Sequence, residues 1–360
     1  MRRPRCPRHP RRPRCIVAGV GAALLFGAAG LVGCAAPALD EDFIASAGGI
    51  DASGPSDPGM PLPAGSELIH FSDRAEHRSP DEPVPTIAPD GRPPGELVPR
   101  IVERGRLIVG IDQSQNRLSF RNPVSGRLEG FEVALGREIA RDIFGDPNAV
   151  DFRFIHSDDL AGVLNDGQVD VILRAMTITP ERAESVTFSA PYLTATKRLL
   201  LPTDSAIRGY QDLTHHRVCV AAGSTSLDVL PALVDEVTVL TVRRWSDCLL
   251  ALQQGQVDAI FGDDAILSGI ADQDLFTEMA GTPATTEHYG AIMPLATTPE
   301  RQNLVRQVNA TLERIRTDGT WEKLYNRWFD DALTYYHPPA PVYAREPATP
   351  ADPGEEVDTP

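Results

Sequence analysis

A pattern that occurs twice constrains the fold of this chain more than any other feature. The first copy reads Asn165-Asp166-Gly167-Gln168-Val169-Asp170, and the second reads Gln253-Gln254-Gly255-Gln256-Val257-Asp258. In both copies a helical pattern runs up to the glycine, which suits the end of a helix, and a short β-branched apolar run follows the aspartate. A helix followed by a buried strand is the unit of an α/β sheet. The repetition therefore predicts two α/β lobes of related topology.

Polar residues follow the first of the two strands. Thr179 can cap a helix, Pro180 fits the first helical position, and Glu181 suits the positive end of the helix dipole. The carboxyl end of a strand before a helix is where open α/β sheets bind ligands. The Thr177 and Thr179 hydroxyls, the free N–H groups of the turn and the Arg182 guanidinium suit a carboxylate. The alternative is a capped helix with a surface arginine.

Composition and charge limit the class of protein. The chain has 360 residues, of which 42% are apolar and 23% charged, so it can form a core and two domains. The formal net charge is −16, although the first 33 residues carry seven arginines and no acid. Because nucleic-acid binding needs lysine and arginine to neutralise phosphates, nucleic acid is not an expected partner.

The first 33 residues have the organisation of a secretory signal peptide. A basic start precedes an apolar run over residues 16–32. The following Leu31-Val32-Gly33-Cys34 resembles a bacterial lipobox, which implies lipidation of Cys34 and a protein anchored by lipid alone to the extracytoplasmic face of the cell membrane. The alternatives are an ordinary signal peptide with an incidental cysteine, or a retained membrane helix.

Two cysteines remain after the signal peptide and Cys34. An even pair in an exported protein indicates a disulfide between Cys219 and Cys248, and two buried thiols are the alternative. A metal site is not expected there, because no histidine or further cysteine lies at ligand spacing.

Both ends of the chain are low in aromatic residues. Residues 34–95 are rich in Pro, Gly, Ser, Ala and Asp, which predicts a disordered tether after Cys34. Residues 336–360 have the same character and predict a disordered tail. The folded body is then expected between about residues 96 and 335.

The motifs of this body follow one another in a distinctive order. They include Arg106-Leu107-Ile108-Val109-Gly110-Ile111-Asp112, Gly130-Phe131-Glu132-Val133, Met176-Thr177-Ile178-Thr179-Pro180-Glu181-Arg182, Gly223-Ser224-Thr225-Ser226, Asp258 with Asp263, and Asp318-Gly319-Thr320-Trp321. In this order and spacing the chain resembles the family 3 extracellular solute-binding proteins, the polar amino-acid receptors of ABC importers. Within that family it resembles the lipid-anchored glutamine- and glutamate-binding branch of actinobacteria.

The resemblance implies a two-lobed, periplasmic-binding-protein-like (type II) fold in which two α/β lobes are joined by two crossing strands. Lobe 1 would comprise residues 96–196 and 294–335, and residues 197–293 would form the hinge strands and lobe 2. The crossings are expected near residues 197–201 and 289–293. The lobes would close over a ligand held in the cleft.

The resemblance also assigns roles at the ends of the ligand. Arg182 would grip the α-carboxylate of an amino acid, with Thr177 and the N–H groups around Thr225 and Ser226 sharing it. Asp263, at the matching strand end of lobe 2, would pair with the α-ammonium, and the carbonyl of Ala175 would accept from the same group. A zwitterion needs donors and a carboxylate on opposite walls.

The residues that would hold the ligand side chain allow more than one interpretation. Asp112 matches a position that touches the side-chain amide in glutamine-binding relatives, or it caps a loop. Gln115 and Asn116 stand where many relatives place an aromatic, so a more polar pocket is expected. If Arg174 reaches the cleft, glutamate or aspartate is preferred. If Arg174 points away, asparagine or glutamine fits as well.

These features predict a lipid-anchored receptor that delivers an amino acid to an ABC permease, without a cofactor or metal. One alternative is a sensor that reports its ligand to a membrane signalling protein. Another is an enzyme of the same fold, a dehydratase or a glycan-cleaving protein. The candidate residues include no nucleophile–base pair, which argues against an enzyme.

Overall fold

The structure is a computed structural model that describes residues 60–74, 84–155, 160–330, 332–333 and 337–344. The predicted signal peptide over residues 1–33 and the predicted lipidation site Cys34 lie outside these residues. In the described ranges, no helix combines the length and apolarity needed to cross a membrane.

The described residues form thirteen strands and ten α-helices, together with one 3₁₀ helix at Tyr210–Leu213. The strands are β1 (Glu67–Phe71), β2 (Leu107–Ile111), β3 (Ser114–Gln115), β4 (Ser119–Arg121), β5 (Leu128–Glu129), β6 (Val150–Phe154), β7 (Val171–Leu173), β8 (Val186–Pro202), β9 (Arg217–Ala221), β10 (Val237–Val242), β11 (Ala259–Asp263), β12 (Thr277–Ala280) and β13 (Thr286–Pro294). The helices are α1 (Pro94–Leu97), α2 (Pro99–Arg104), α3 (Phe131–Phe144), α4 (Leu160–Asn165), α5 (Pro180–Ala183), α6 (Ser226–Leu233), α7 (Trp245–Gln253), α8 (Asp264–Ala271), α9 (Pro299–Thr317) and α10 (Thr320–Trp328).

The strands form two sheet regions that share the longest strand, β8. In lobe 1 the order is β6-β2-β7-β13-β8, and in lobe 2 it is β8-β11-β9-β10-β1, with β12 also paired to β8. The strands β2, β6 and β7 are parallel, as are β9, β10 and β11. Each parallel set alternates with helices along the chain. The predicted two-lobed α/β fold is therefore confirmed.

The two hinge strands are longer than the sequence pattern predicts. The chain runs as one strand over Val186–Pro202, of which only the last third was expected to be a crossing strand. Pro191 lies within this strand, opposite Gly290 of β13, where the pairing register shifts. An irregularity of this kind tolerates a proline inside a sheet.

The prediction of a disordered tether over residues 34–95 is wrong for its described parts. Glu67–Phe71 forms β1, an antiparallel edge strand on β10, and the helix α1 begins at Pro94. Residues 84–90 pack on lobe 1, where the Thr86 hydroxyl donates to the carbonyl of Phe188 at 2.7 Å. This segment obtains its structure from the edge of a folded sheet and from lobe 1, and composition cannot reveal such partners.

The prediction of a disordered tail over residues 336–360 is wrong for residues 337–344. Tyr343 forms a parallel β-bridge with Thr86, and its hydroxyl donates to Glu313 at 2.7 Å. The reason is again a tertiary contact, because this short stretch packs against the 84–90 segment and α9. The rest of the tail lies outside the described residues.

The predicted disulfide is confirmed. Cys219 in β9 and Cys248 in α7 are bonded, with their Cα atoms 5.5 Å apart. Both residues are fully buried in lobe 2, where the bridge joins the central parallel strand to the helix that covers it.

Candidate ligand-binding site between the lobes

A cavity of about 280 Å³ lies between the two lobes. This volume is close to the lower end of the range for small-molecule sites, about 300–1,000 Å³. Lobe 1 lines it with the segment after β2 and the segment after β7. Lobe 2 lines it with the segments after β9, β10 and β11, at the carboxyl ends of three parallel strands. The lining residues are Asp112, Gln115, Arg174, Ala175, Met176, Thr177, Arg182, Ala221, Ala222, Gly223, Ser224, Thr225, Arg243, Arg244, Trp245, Asp263 and Ile266.

The turn that carries Arg182 is fixed to the hinge strand β13. The N–H of Ile178 donates to the carbonyl of His288 at 2.8 Å, and the N–H of Gly290 donates to the carbonyl of Met176 at 3.1 Å. The Thr179 hydroxyl caps α5 by accepting from the N–H of Arg182 at 3.3 Å, as predicted. The loop after β7 is thus attached to the backbone of β13.

The guanidinium of Arg182 reaches across the cleft. Nη1 donates to the carbonyl of Thr177 at 2.8 Å, and Nη2 donates to the carbonyl of Gly223 in lobe 2 at 2.9 Å. Burial lowers the pKa of Arg182, and the nearby carboxylates of Asp263 and Glu287 act in the opposite direction. Within the described residues, no carboxylate lies at ion-pair distance from it. A buried guanidinium bonded only to carbonyl oxygens can still accept an anionic partner.

Ala175 is held in an unusual conformation at the cavity wall. Its φ is +48°, a left-handed value that non-glycine residues seldom adopt, and its N–H donates to Glu132 Oε1 at 2.5 Å. Tyr192 and Ser119 donate their hydroxyls to the same carboxyl group, at 2.6 and 3.2 Å. Burial raises the pKa of Glu132, while these bonds lower it. The fully buried Glu132 therefore fixes the backbone that would present the Ala175 carbonyl.

Arg174 does reach the cavity, where it is 11% exposed. Its Nη2 lies 3.2 Å from Asp112 Oδ2, while its buried Nε has no hydrogen-bond partner among the described residues. Asp112 has the capping role proposed for it, and its contact with a ligand side chain stays a prediction. It lines the cavity, and its Oδ1 caps the following loop by accepting from the N–H and hydroxyl of Ser114 at 2.8 and 2.6 Å.

Asn116 does not line the cavity, which contradicts the prediction for it. Its amide lies 3.4 Å from Asp272 of lobe 2 instead. Neighbouring side chains of an extended segment point in opposite directions, so Gln115 lines the cavity in its place. The buried Oε1 of Gln115 has no partner among the described residues.

The turn after β9 supplies the rim of lobe 2. Gly223, Ser224 and Thr225 line the cavity directly before α6 begins at Ser226. The first N–H groups of a helix have no partner inside the helix, so they are available to an anion. The Ser226 side chain is fully buried and does not line the cavity. The contact expected of Ser226 is through its N–H group, and it stays a prediction.

Asp263 ends β11 on the opposite wall, but its carboxylate already has two partners. Lys197 of β8 donates to Oδ1, and the hydroxyl of Tyr289 donates to Oδ2. Burial and the neighbouring Asp263 raise the pKa of Tyr289 well above its usual value, so the phenol stays protonated and donates. Asp263 still lines the cavity and can accept a further donor from it.

The segment after β10 lines the cavity although no sequence motif marks it as part of the site. Arg243, Arg244 and Trp245 line the cavity, and the Arg244 guanidinium lies 5.8 Å from the ring centre of Phe154 in lobe 1. A signal was present, because the two arginines directly follow the β-branched apolar run of residues 237–242, as Arg174 follows that of residues 171–173. Lys197 was also missed, although a lysine in a buried strand needs a charged partner.

The lobes are in contact across the cleft, so this is a closed arrangement. Arg117 at the lobe 1 rim binds both carboxylate oxygens of Asp272 in lobe 2 at 2.6 Å. Gly269 of α8 leaves no space for a side chain, since a Cβ atom there would lie 2.3 Å from the carbonyl of Asn116.

The structure thus brings together most of the predicted residues around one cavity. Those that line it are Asp112, Arg174, Ala175, Thr177, Arg182, Thr225 and Asp263. The arrangement offers guanidinium groups from both lobes and a carboxylate on the wall opposite Arg182, which suits a ligand with both signs of charge. Among the described residues there is no cluster of three or more side chains able to hold a metal ion.

Comparisons with known proteins identify the family of this chain. Residues 107–331 match the bacterial extracellular solute-binding proteins, family 3. The glutamine-binding protein GlnH of the ABC transporter of Bacillus subtilis (strain 168) is 32% identical over 232 residues, which are 64% of this chain and 84% of GlnH. The glutamate-binding protein GluB of Corynebacterium efficiens is 30% identical over 234 residues, 62% of this chain and 78% of GluB.

Solved structures give the same result. The holo form of the arginine-binding protein of T. maritima superposes with a TM-score of 0.55 at 28% identity, covering 63% of this chain and 99% of that chain. An ancestral arginine-binding protein bound to glutamine gives 0.56 at 29% identity with the same coverage. The family predicted from the motifs is confirmed, and this chain belongs to the bacterial extracellular solute-binding proteins, family 3.

Proposed function

We propose that this protein is an extracytoplasmic receptor that binds a free polar amino acid by lobe closure and delivers it to an ABC permease. The observation that carries the proposal is the cavity with Arg182 on one wall and Asp263 on the other. Arg182 and the turn before α6 would hold the α-carboxylate, and Asp263 with the Ala175 carbonyl would hold the α-ammonium. The proposal includes attachment to the membrane through a lipid on Cys34.

The charges of the cavity favour an acidic amino acid. Four arginines and two aspartates line it. Asp112 is paired with Arg174, and Asp263 is paired with Lys197 behind the wall. Within the described residues, Arg182, Arg243 and Arg244 have no ion pair to a carboxylate. A site with surplus guanidinium groups stabilises a ligand with two carboxylates, so we infer that glutamate or aspartate is preferred over glutamine or asparagine.

Closure supplies the affinity. The empty protein would populate open lobes, and a ligand that contacts both walls would shift the population to the closed arrangement. A micromolar dissociation constant corresponds to about −8 kcal/mol. One guanidinium, one carboxylate and several amide donors can supply this after the entropy of association is subtracted.

Calorimetry on the purified protein tests the proposal. The protein is first unfolded and refolded to remove any bound ligand, and is then titrated with each of the twenty amino acids, starting with L-glutamate, L-aspartate, L-glutamine and L-asparagine. We expect heat from the acidic pair at the lowest concentrations. If none of the twenty amino acids binds, the receptor function is wrong. If the amides bind as tightly as the acids, only the acidic preference is wrong.

A further inference from the structure

A fully buried lysine lies beneath the proposed ammonium site. Lys197 is in the hinge strand β8, and its side chain is 1% exposed. Lysine is almost never buried to this extent without a charged partner. Here there are two candidates, Asp263 of β11 and Glu287 of the other hinge strand, and both of them are buried as well.

The contacts of Lys197 join the hinge to the cavity wall. Its Nζ donates to Asp263 Oδ1 and, at 2.8 Å, to the Thr225 hydroxyl, and it lies 3.7 Å from Glu287 Oε1. Glu287 accepts from the hydroxyls of Thr225 and Thr285 at 3.1 and 2.8 Å. Glu287 is not among the residues that line the cavity. It can therefore influence a ligand only through its neighbours.

Lys197, Asp263 and Glu287 form a buried cluster whose charges do not balance. One ammonium, that of Lys197, lies between the carboxylates of Asp263 and Glu287, which leaves one negative charge in a buried environment. Arg182, on the other wall, is affected by both carboxylates. In the proposed complex, however, Arg182 is neutralised by the α-carboxylate of the ligand. Buried charge is costly unless it is paired, so the cluster would be completed by one cation from the cavity side.

We propose that Glu287 is the residue that makes the site require an α-ammonium. By sharing the charge of Lys197, Glu287 keeps a net negative charge at Asp263, where the ligand amine binds. The surplus guanidinium groups of the cavity would otherwise accept any small dicarboxylate. The cluster therefore discriminates against dicarboxylates without an amine, because they leave its charge uncompensated. Glu287 is a positioning residue that acts through Lys197 and Asp263. This inference rests on the proposed function.

The test compares two ligands that differ in the amine alone, L-glutamate and glutarate. The variant is Glu287→Gln, which removes the charge and keeps the shape of the side chain, with one oxygen acceptor left for one of the two threonine hydroxyls. We expect the affinity for L-glutamate to fall by about tenfold, because an attractive charge is lost near the ammonium, and the affinity for glutarate to stay unchanged or rise. The preference for the amino acid then falls at least tenfold. Glu278→Gln, on the exposed face of β12, is the matched control and should change neither affinity.

A second variant covers the case in which Glu287→Gln does not fold. Lys197→Met removes the shared cation but leaves at least one carboxylate charge next to the ammonium, so the preference for L-glutamate over glutarate should be kept or increased. A purely structural role predicts that either variant weakens both ligands equally. That result, or a preference lost in Lys197→Met, would overturn the inference.

The outcomes also separate this inference from the receptor function. If the unmodified protein binds no amino acid, the proposed function fails and the inference fails with it. If the unmodified protein prefers L-glutamate over glutarate and the folded Glu287→Gln variant keeps that preference, the receptor function stands and the role of Glu287 is wrong.

Discussion

The two lobes are built from one local design but place different residues at the ends of two equivalent strands that face the cleft. In lobe 1 the Asp170 carboxylate accepts from the N–H of Ile108 at 2.7 Å, and in lobe 2 the Asp258 carboxylate accepts from the N–H of Arg217 at 2.8 Å. In both lobes a glycine with positive φ precedes the aspartate, and the aspartate N–H donates back to the neighbouring strand. The repeated sequence pattern is thus a repeated set of hydrogen bonds.

The lobes differ at the carboxyl ends of β7 and β11, the strands that follow the repeated pattern. After β7 the chain continues through a loop to α5, which gives room for Arg174 and Arg182. After β11 the helix α8 begins at once, and Asp263 is the last residue of the strand. At the ends of β7 and β11, the same scaffold therefore places guanidinium groups in lobe 1 and a carboxylate in lobe 2. The scaffold determines where a ligand binds, and the residues at the strand ends determine which charges it carries.

Replacing Arg182 on the lobe 1 wall should have the largest effect on ligand affinity. Arg182→Ala is expected to reduce the affinity for any amino acid by about 4 kcal/mol, close to a thousandfold, because the α-carboxylate loses its charged donor in a buried site. Calorimetry measures the loss. Arg153→Ala is the matched control, since Arg153 also donates to a backbone carbonyl, that of Gln168 at 2.6 Å, but lies outside the cavity. A loss below tenfold for Arg182→Ala would contradict the assignment of the two walls.

Loss of the disulfide should destabilise lobe 2 more than lobe 1. Only lobe 2 contains cysteines, and Cys219–Cys248 closes a loop with a sequence separation of 29. Replacing both with alanine should lower the free energy of unfolding by about 3.5 kcal/mol in the chain-entropy model. Hydrogen exchange should show the loss of protection in β9 and β10 and little change in β2 and β7. Equal losses in both lobes would mean that they unfold as one cooperative unit.

Arg174 tests whether the lobe 1 wall selects the ligand side chain. Arg174→Ala leaves Asp112 without its cation, so an acidic side chain loses an attractive group and meets a repulsive one. We expect the affinity for L-glutamate to fall by about 2 kcal/mol, roughly thirtyfold, and that for L-glutamine by less than about threefold. Gln115→Ala is the matched control, because it removes an uncharged lining residue and should weaken both ligands alike. Equal losses in Arg174→Ala would exclude Arg174 from ligand selection.

Much of the fold follows from local signals in the sequence. The glycine–aspartate pattern, the apolar strands and the cap at Thr179 are set by short-range hydrogen bonds and periodicity, so they can be recognised without a structure. The strand β1 cannot, because Glu67–Phe71 is a strand only through pairing with the edge strand β10. The same holds for the length of β8, whose continuity through Pro191 depends on an irregularity in its partner β13.

The residues of the site also fall into two groups, those that the sequence reveals and those that it does not. Arg182 and Asp263 could be predicted because each follows a strand in a recognisable motif. Lys197 and Glu287 could not be assigned, since their roles depend on the proximity of β8, β11 and β13, which are distant in sequence. Gln115 and Asn116 are predicted together at the side-chain part of the site, because motif spacing does not reveal which of two neighbouring side chains faces the cleft.

The smallest effect is expected at the rim, where Arg117 of lobe 1 binds Asp272 of lobe 2. Their side chains are 25% and 37% exposed, and partly exposed ion pairs contribute little. Asp272→Asn should therefore weaken ligand binding by only about 0.5 kcal/mol, or about twofold, by making closure slightly less favourable. Asp274→Asn is the matched control, because Asp274 accepts from Gln253 and Phe276 within lobe 2 and does not cross the cleft. A loss above tenfold in Asp272→Asn would mean that the rim, rather than the opposed charges of the cavity walls, holds the lobes closed.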